Sequence, residues 1–408
     1  ENTPDRARWL LMKGWEAQDL KFRLAPSKKI NPSDQYLARL MMNVMLQPLK
    51  HPDQSVLVSV FTPCELMQEA GLYPYNVESF SCYLTASSAE RAFLQSAEDS
   101  GLSETLCSYH KTFIGAAEKG LLPKPKCIVY TNLACDANLL TFQRLAEFFH
   151  VPVFSIDVPS GQTSENVAYV AAQLRALRGF LEQTTGHQID EGRLVQRVKR
   201  GYKTLQQFDA FQSARADRFI PSDLVSPLYS GMTNNILLGT EEEALYTEKL
   251  LQDVKKAPPK KGKHIYWMHT LPFWSDAVKD ALLLNDDAQI VGCELSQATD
   301  ISRYSEDPYE EMAMRLIYHA LNGPISRRIN AGIRHAKQAG ADGVVWFNHW
   351  GCKHTLGGSR IAKKCFEEAG LPTLILDGDG CDRSHGGEGQ TSTRLGAFLE
   401  MLGDFAHE

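Results

Sequence analysis

Residues Gly343–Ser359 read GVVWFNHWGCKHTLGGS. The opening run, Gly343–Phe347, is unbroken and apolar, with the length and side-chain types of a strand buried in a sheet. It ends on Asn348 and His349, turns through Trp350 and Gly351, and delivers Cys352 just before a helix opens around Gly357 and Gly358. Strand, glycine-bearing turn, helix is the unit that builds a parallel sheet covered by helices. Ligands in such sheets gather outside the carboxyl ends of the strands, which is where this turn puts Cys352.

The same unit recurs on both sides of that stretch. After it comes Pro372–Asp379, PTLILDGD, and before it His264–His269, HIYWMH, and Ala288–Gly292, AQIVG. A first set lies near the N-terminus: Val56–Phe61, VLVSVF; Cys127–Asn132, CIVYTN; and Pro152–Asp157, PVFSID, with DANLLTFQRLAEFFH at Asp136–His150 as an intervening helix. Between the two sets, Ser164 to about Leu250 shows helical periodicity and almost no strand signal. KKAPPKKGK at Lys255–Lys263 is a charged, proline-bearing linker. The expected division is a helical N-terminal segment over 1–50, an α/β domain over 51–163, a helical insertion and linker over 164–262, and a second α/β domain over 263–408. Two similar halves suggest a domain duplication.

Composition excludes several classes of function. The 408 residues carry 43 Lys plus Arg against 49 Asp plus Glu, a formal charge of −6, with no basic run to follow a phosphate backbone. Nucleic acid is not an expected partner. No stretch approaches the roughly 18 apolar residues of a membrane helix, and the opening ENTPDRARWL lacks a signal-peptide core, so a cytoplasmic protein is expected.

In that compartment nine cysteines point to burial or metal ligation rather than disulfides. Cys64, Cys135, Cys293, Cys352 and Cys381 each follow a candidate strand, and Cys107 stands at the start of a helix, where backbone N–H groups favour a thiolate. Cys127 opens a core strand, Cys365 lies inside a helix and Cys82 sits in the FSCYL segment; these three read as small buried hydrophobes. The six candidates divide equally between the two α/β halves. No C-x2-C or C-x4-C pair is present, so a structural zinc site and a ferredoxin run are both disfavoured. Widely spaced thiolates that converge only on folding suit an iron–sulfur cluster held in a cleft. Three thiolates on a four-iron cubane leave one iron open.

The stretches VSVFTPCELMQEAGLYPYNV (Val58–Val77), LCSYHKTFIG (Leu106–Gly115), YTNLACDANLLTFQRL (Tyr130–Leu145), FNHWGCKHTLGGS (Phe347–Ser359) and GQTSTRLGAFLEML (Gly389–Leu402) resemble, in order and spacing, the 2-hydroxyacyl-CoA dehydratase and benzoyl-CoA reductase superfamily. The resemblance runs from about Val56 to the C-terminus. It implies two Rossmann- or flavodoxin-like parallel-sheet domains facing across a cluster cleft, with a four-iron cluster on Cys107, Cys135 and Cys352. Cys64 in the TPxEL motif, together with Cys293 and Cys381, departs from the dehydratase pattern, and HWGCK is similar to the branch carrying a double-cubane [8Fe-9S] cluster.

Six thiolates would suit that cluster, and the resemblance then implies a homodimeric reductase of small, hard-to-reduce molecules, fed by a separate ATP-hydrolysing iron–sulfur activator. The chain has no G-x-x-x-x-G-K-[ST]; its nearest glycine-rich stretch, HGGEGQTST at His385–Thr393, lacks the lysine. A dehydratase subunit with one [4Fe-4S] cluster and a non-catalytic electron carrier are the alternatives. Gly351 is expected to allow close backbone approach, His349 and Lys353 to donate to sulfur or substrate, and Glu65 to supply a proton.

Overall fold

The computed structural model describes residues 3–404. Among the described residues, eight strands form two all-parallel sheets. The first contains β1 (Ser55–Val58), β2 (Tyr73–Asn76), β3 (Cys127–Thr131) and β4 (Val153–Ile156), in the order β2-β1-β3-β4. The second contains β5 (Lys263–Met268), β6 (Ala288–Cys293), β7 (Gly343–His349) and β8 (Thr373–Gly378), in the order β6-β5-β7-β8. Both sheets therefore have one topology, and each reverses its winding between its first and third strands. That reversal opens a crevice at the carboxyl ends of β1 and β3, and another at those of β5 and β7.

The decisive strand is buried along its whole length. β7 pairs with β5 at Val345–Trp267 and with β8 at Val345–Leu374, and Val344, Val345 and Trp346 have no exposed surface. Burying each such large apolar side chain stabilises the fold by about 1.5–3 kcal/mol. Ile329 and Phe366, from helices, cover one face of the sheet at β7, while Leu395 and Phe398 cover the other.

Three local differences from the sequence expectation have simple causes. β2 carries Pro74, which cannot donate to a ladder, and survives because it is the edge strand of its sheet. β1 stops at Val58 instead of running to Phe61, because the Ser59 hydroxyl bonds to the Thr62 hydroxyl at 2.8 Å and turns the chain. Cys293 is the last residue of β6 itself, one position earlier than a strand exit.

Helices Pro4–Leu24 and Pro32–Lys50 cover the first sheet, with Leu37, Met41 and Met45 packed against Tyr75 and Phe80. Helices Ser164–Thr185, Glu191–Ala214, Ser226–Ile236 and Glu241–Lys256 occupy the middle of the chain. Thr163, Asp190 and Thr240 cap three of them by accepting from backbone N–H groups, each worth about 1 kcal/mol. Among the described residues no helix is long and apolar enough to cross a membrane.

Where the N-terminal helices meet the middle helices and β6, a cavity of about 40 Å³ is lined by Asp34, Asp223, Arg215 and Cys293. Burial, with the neighbouring Asp223 carboxylate next, pushes Asp34 well above the usual carboxylate range. The folded state thus holds this proton more tightly than the unfolded chain does. Its contribution to stability is complete below about pH 4 and is lost as pH rises toward neutrality. Urea midpoints should accordingly fall between pH 4 and pH 7, and Asp34→Asn should flatten that decline. An unchanged slope in the variant would contradict the assignment.

Candidate functional site

The site is assembled where the helix Ser108–Glu118 of the first half docks on the carboxyl edge of the second sheet. Three contacts fix the docking. The Ser108 hydroxyl donates to Asp379 Oδ1 at 2.6 Å, the Tyr109 hydroxyl pairs with Thr270 Oγ1 at 2.7 Å, and the Tyr109 ring lies 5.2 Å from that of His349. Asp379 Oδ1 also accepts from the backbone N–H groups of Cys381 and Asp382, both at 2.7 Å. The loop after β8 is thereby tied to the start of that helix.

Cys107 occupies the N-cap position of this helix without a capping bond from its side chain, and its sulfur lies 3.1 Å from His349 Nε2. His349 Nδ1 accepts the Gly380 N–H at 3.0 Å, so the neutral ring carries its proton on Nε2 and donates it to Cys107. Burial lowers the His349 pKa, which keeps the ring neutral. Gly351, at φ +78°, passes so close to Cys107 that an added Cβ would lie 2.7 Å from its backbone nitrogen. This approach is what sets Cys352 beside Cys107. Gly351→Ala should cost about 1–3 kcal/mol from the backbone conformation alone, with the contact adding to it. Denaturant unfolding measures the loss, and a fully stable variant would show that the approach is not tight.

Cys135 completes the group from the turn between β3 and the helix Ala137–Phe149. Burial pushes its thiol up to about 11, with the Cys352 thiolate adding to the effect. Cys107 is raised well above the ordinary thiol range by burial first, then by Cys352 and Cys135. The structure thus brings together three of the six candidate thiols, each partly buried, from both halves of the chain. Cys352 also has Thr355 Oγ1 at 3.2 Å and His269 Nε2 at 3.7 Å.

The other three candidates have neighbours of their own. Cys64 donates to the Thr62 carbonyl at 3.2 Å inside an apolar group that includes Phe61 and Leu66. Cys293 donates to the His269 carbonyl at 3.5 Å. Cys381 contacts the hydroxyls of Thr85 at 3.0 Å and Thr112 at 3.4 Å, and burial raises its thiol well above the ordinary range, with Cys82 on the helix Val77–Ala86 adding to the effect. Glu65 is buried in an ion pair with Arg315, while Lys353 is exposed. Gly358 packs against Ile325, so it serves the contact between two helices rather than a cleft wall.

Sequence reasoning missed two residues. His269 directly follows β5. Glu78 lies in the first turn of the helix after β2, where Oε2 accepts from the Asn76 amide at 2.9 Å and Oε1 from the Val60 N–H at 3.4 Å. Burial raises its carboxyl to about 7, and its charge bears on Cys135 and Cys82. The available signal was Asn76, a helix-capping residue at a strand end with an acid two positions on.

Among the described residues, no three His, Cys, Asp or Glu side chains stand close enough to hold a single metal ion. A cubane binds each thiolate to a different iron, so it needs a wider spacing than one ion does. A groove of about 860 Å³ elsewhere, beside β2, contains Arg193 and Arg197, but Glu69 already pairs with both, at 3.1 and 2.6 Å.

The sequence model of the 2-hydroxyglutaryl-CoA dehydratase D-component family matches residues 59–402, a span that includes every element of the site. The chain belongs to this family. It is 21% identical to the (R)-phenyllactyl-CoA dehydratase alpha subunit of Clostridium sporogenes over 83% of this chain and 87% of that one. To the (R)-2-hydroxyisocaproyl-CoA dehydratase alpha subunit of Clostridioides difficile it is 22% identical, over 84% and 88%. The beta subunit of the Clostridium sporogenes enzyme is as similar, 22% identical over 87% and 94%. These relatives are enzyme subunits, and a family member thus resembles both halves of one dehydratase.

Proposed function

We propose that this chain is the cluster-bearing subunit of a 2-hydroxyacyl-CoA dehydratase-type enzyme, with one [4Fe-4S] cluster on Cys107, Cys135 and Cys352. The observation that carries this reading is the close approach of the Gly351–Cys352 turn to the Cys107 backbone, with Cys135 near enough for its charge to bear on Cys107. The donor set fits the group: three soft sulfur ligands, one of them already accepting an N–H from His349. When bound, such a cluster supplies one-electron chemistry and an iron without a protein ligand.

The chain's own residues do the rest. His349 holds the Cys107 sulfur through Nε2–H while its Nδ1 is fixed by the Gly380 backbone. Glu78, raised by burial to about 7, is suited to take up and return a proton near neutral pH, whereas the Glu65 carboxylate is committed to Arg315. The electron source in this reading is a separate ATP-hydrolysing activator, as the resemblance to the superfamily implies. The similarity to both an alpha and a beta subunit supports a partner of the same fold, either a second copy or a paralogue.

The double-cubane reductase is the competing reading. It rests on Cys64, Cys293 and Cys381, each of which would have to leave its present partners. Anaerobic iron and sulfide quantification separates the two: about four irons per chain are expected for one cubane and about eight for two. Dehydration of a 2-hydroxyacyl-CoA that requires activator and ATP would complete the case. A chain that binds four irons but turns over nothing with activator, ATP and either possible partner would be an electron carrier instead.

A further inference from the structure

β5 ends at Met268, and the next residue, His269, has φ +77°. A side-chain-bearing residue in this left-handed region carries about 1–3 kcal/mol of strain and stays there only where its surroundings hold it. They do so here. Trp267 Nε1 donates to the Thr270 carbonyl at 2.8 Å, Thr270 Oγ1 meets the Tyr109 hydroxyl at 2.7 Å, and the carbonyl of His269 accepts the Cys293 thiol at 3.5 Å. The turn gives the ring its direction. His269 Nε2 lies 3.7 Å from Cys352 Sγ, at the crevice between β5 and β7, and the ring stands 6.0 Å from that of His349. Nδ1 is buried and has no hydrogen-bond partner.

This arrangement is a poor one for stability alone. It combines a strained backbone with a buried, unpaired nitrogen, whose desolvation is itself unfavourable. The ring's hydrogen-bonding neighbour is the Cys352 sulfur, and a thiolate sulfur only accepts, so it selects the tautomer with the proton on Nε2. We propose that His269 is a positioning residue for Cys352: it donates Nε2–H to that sulfur and, paired with His349 on Cys107, raises the reduction potential of the group these thiols hold. Hydrogen bonds to ligand sulfur favour the more negative, reduced state, so losing one lowers the potential. The inference rests on the cluster reading above.

The test uses the full chain, reconstituted anaerobically with iron and sulfide, with three readouts: iron per chain, midpoint potential from an EPR-monitored titration, and melting temperature. His269→Gly relieves the backbone strain and removes the donor. It should keep the wild-type melting temperature or exceed it, retain iron, and shift the potential to a more negative value. His269→Gln, which restores an N–H at a similar reach, should return most of the shift. Iron lost in the glycine variant and regained in the glutamine variant would equally support the role. An unchanged potential in a fully loaded glycine variant, or a glutamine variant no different from glycine, overturns it. Wild-type protein that takes up no iron would remove the cluster reading, and this inference with it.

Discussion

Serine in place of Cys107, Cys135 or Cys352 is expected to strip most of the iron from anaerobically loaded protein. Loss of a residue that merely supports a metal ligand weakens metal affinity about 10–100-fold, and removing a ligand outright should exceed that. The three thiols share one electrostatic neighbourhood, so each variant removes a third of a single donor set. The same substitution at Cys64, Cys293 or Cys381 is expected to leave iron intact and to cost stability only, because those thiols are satisfied by Thr62, His269 and Thr85. A six-ligand cluster requires iron loss in all six variants. Iron content and the visible spectrum, measured across the series, decide between the two patterns.

The second large effect is expected at Arg328. Its guanidinium grips Glu294 with two bonds of 2.6 Å, both side chains being almost completely buried, and it lies 4.6 Å over the Trp346 ring. A third bond runs to the His354 carbonyl at 3.0 Å, so Arg328 ties the exit of β6 to the turn that carries Cys352. Arg328→Met leaves the Glu294 carboxylate buried without its counter-charge, and should destabilise the protein by about 3–5 kcal/mol. Replacing both, as Arg328→Met with Glu294→Leu, should recover much of that loss. Urea unfolding of the two proteins measures both steps. A single variant as stable as wild type would mean the pair is not desolvated.

Much of this architecture could be read from local sequence. β3, β5, β6, β7 and β8 lie in continuous apolar runs, because strands buried on both faces leave no polar alternation to confuse them. β2 could not be read so easily: four residues with a proline, Tyr-Pro-Tyr-Asn, look like a turn until they are seen at a sheet edge.

The rule that chemistry follows strand ends chose the right zones of the sequence but could not rank them. β6 and β8 are edge strands of their sheet, so Cys293 and Cys381 leave from its margins. Cys135 and Cys352 leave β3 and β7, which border the reversal points. For these four, strand order makes the distinction, and it depends on pairings distant in sequence; Cys64 leaves β1, which also borders a reversal point, and is set apart instead by burial beside Phe61 and Leu66. Glu65 shows the same limit. Its place beside Cys64 suggested chemistry, yet its partner Arg315 lies 250 positions away. Glu78 was overlooked because the strand that delivers it was not recognised.

Cys107 and the histidine that holds it are 242 positions apart in the chain. The contact cannot form until both sheets exist and the helix Ser108–Glu118 has docked across them, and contacts of such separation are late and slow to close. On the proposed cluster reading, iron uptake is therefore expected to report assembly, since the ligand set is complete only once that docking is made. A substitution that loosens the docking, however far from a thiol, should then show as metal-poor protein before it shows as unfolded protein.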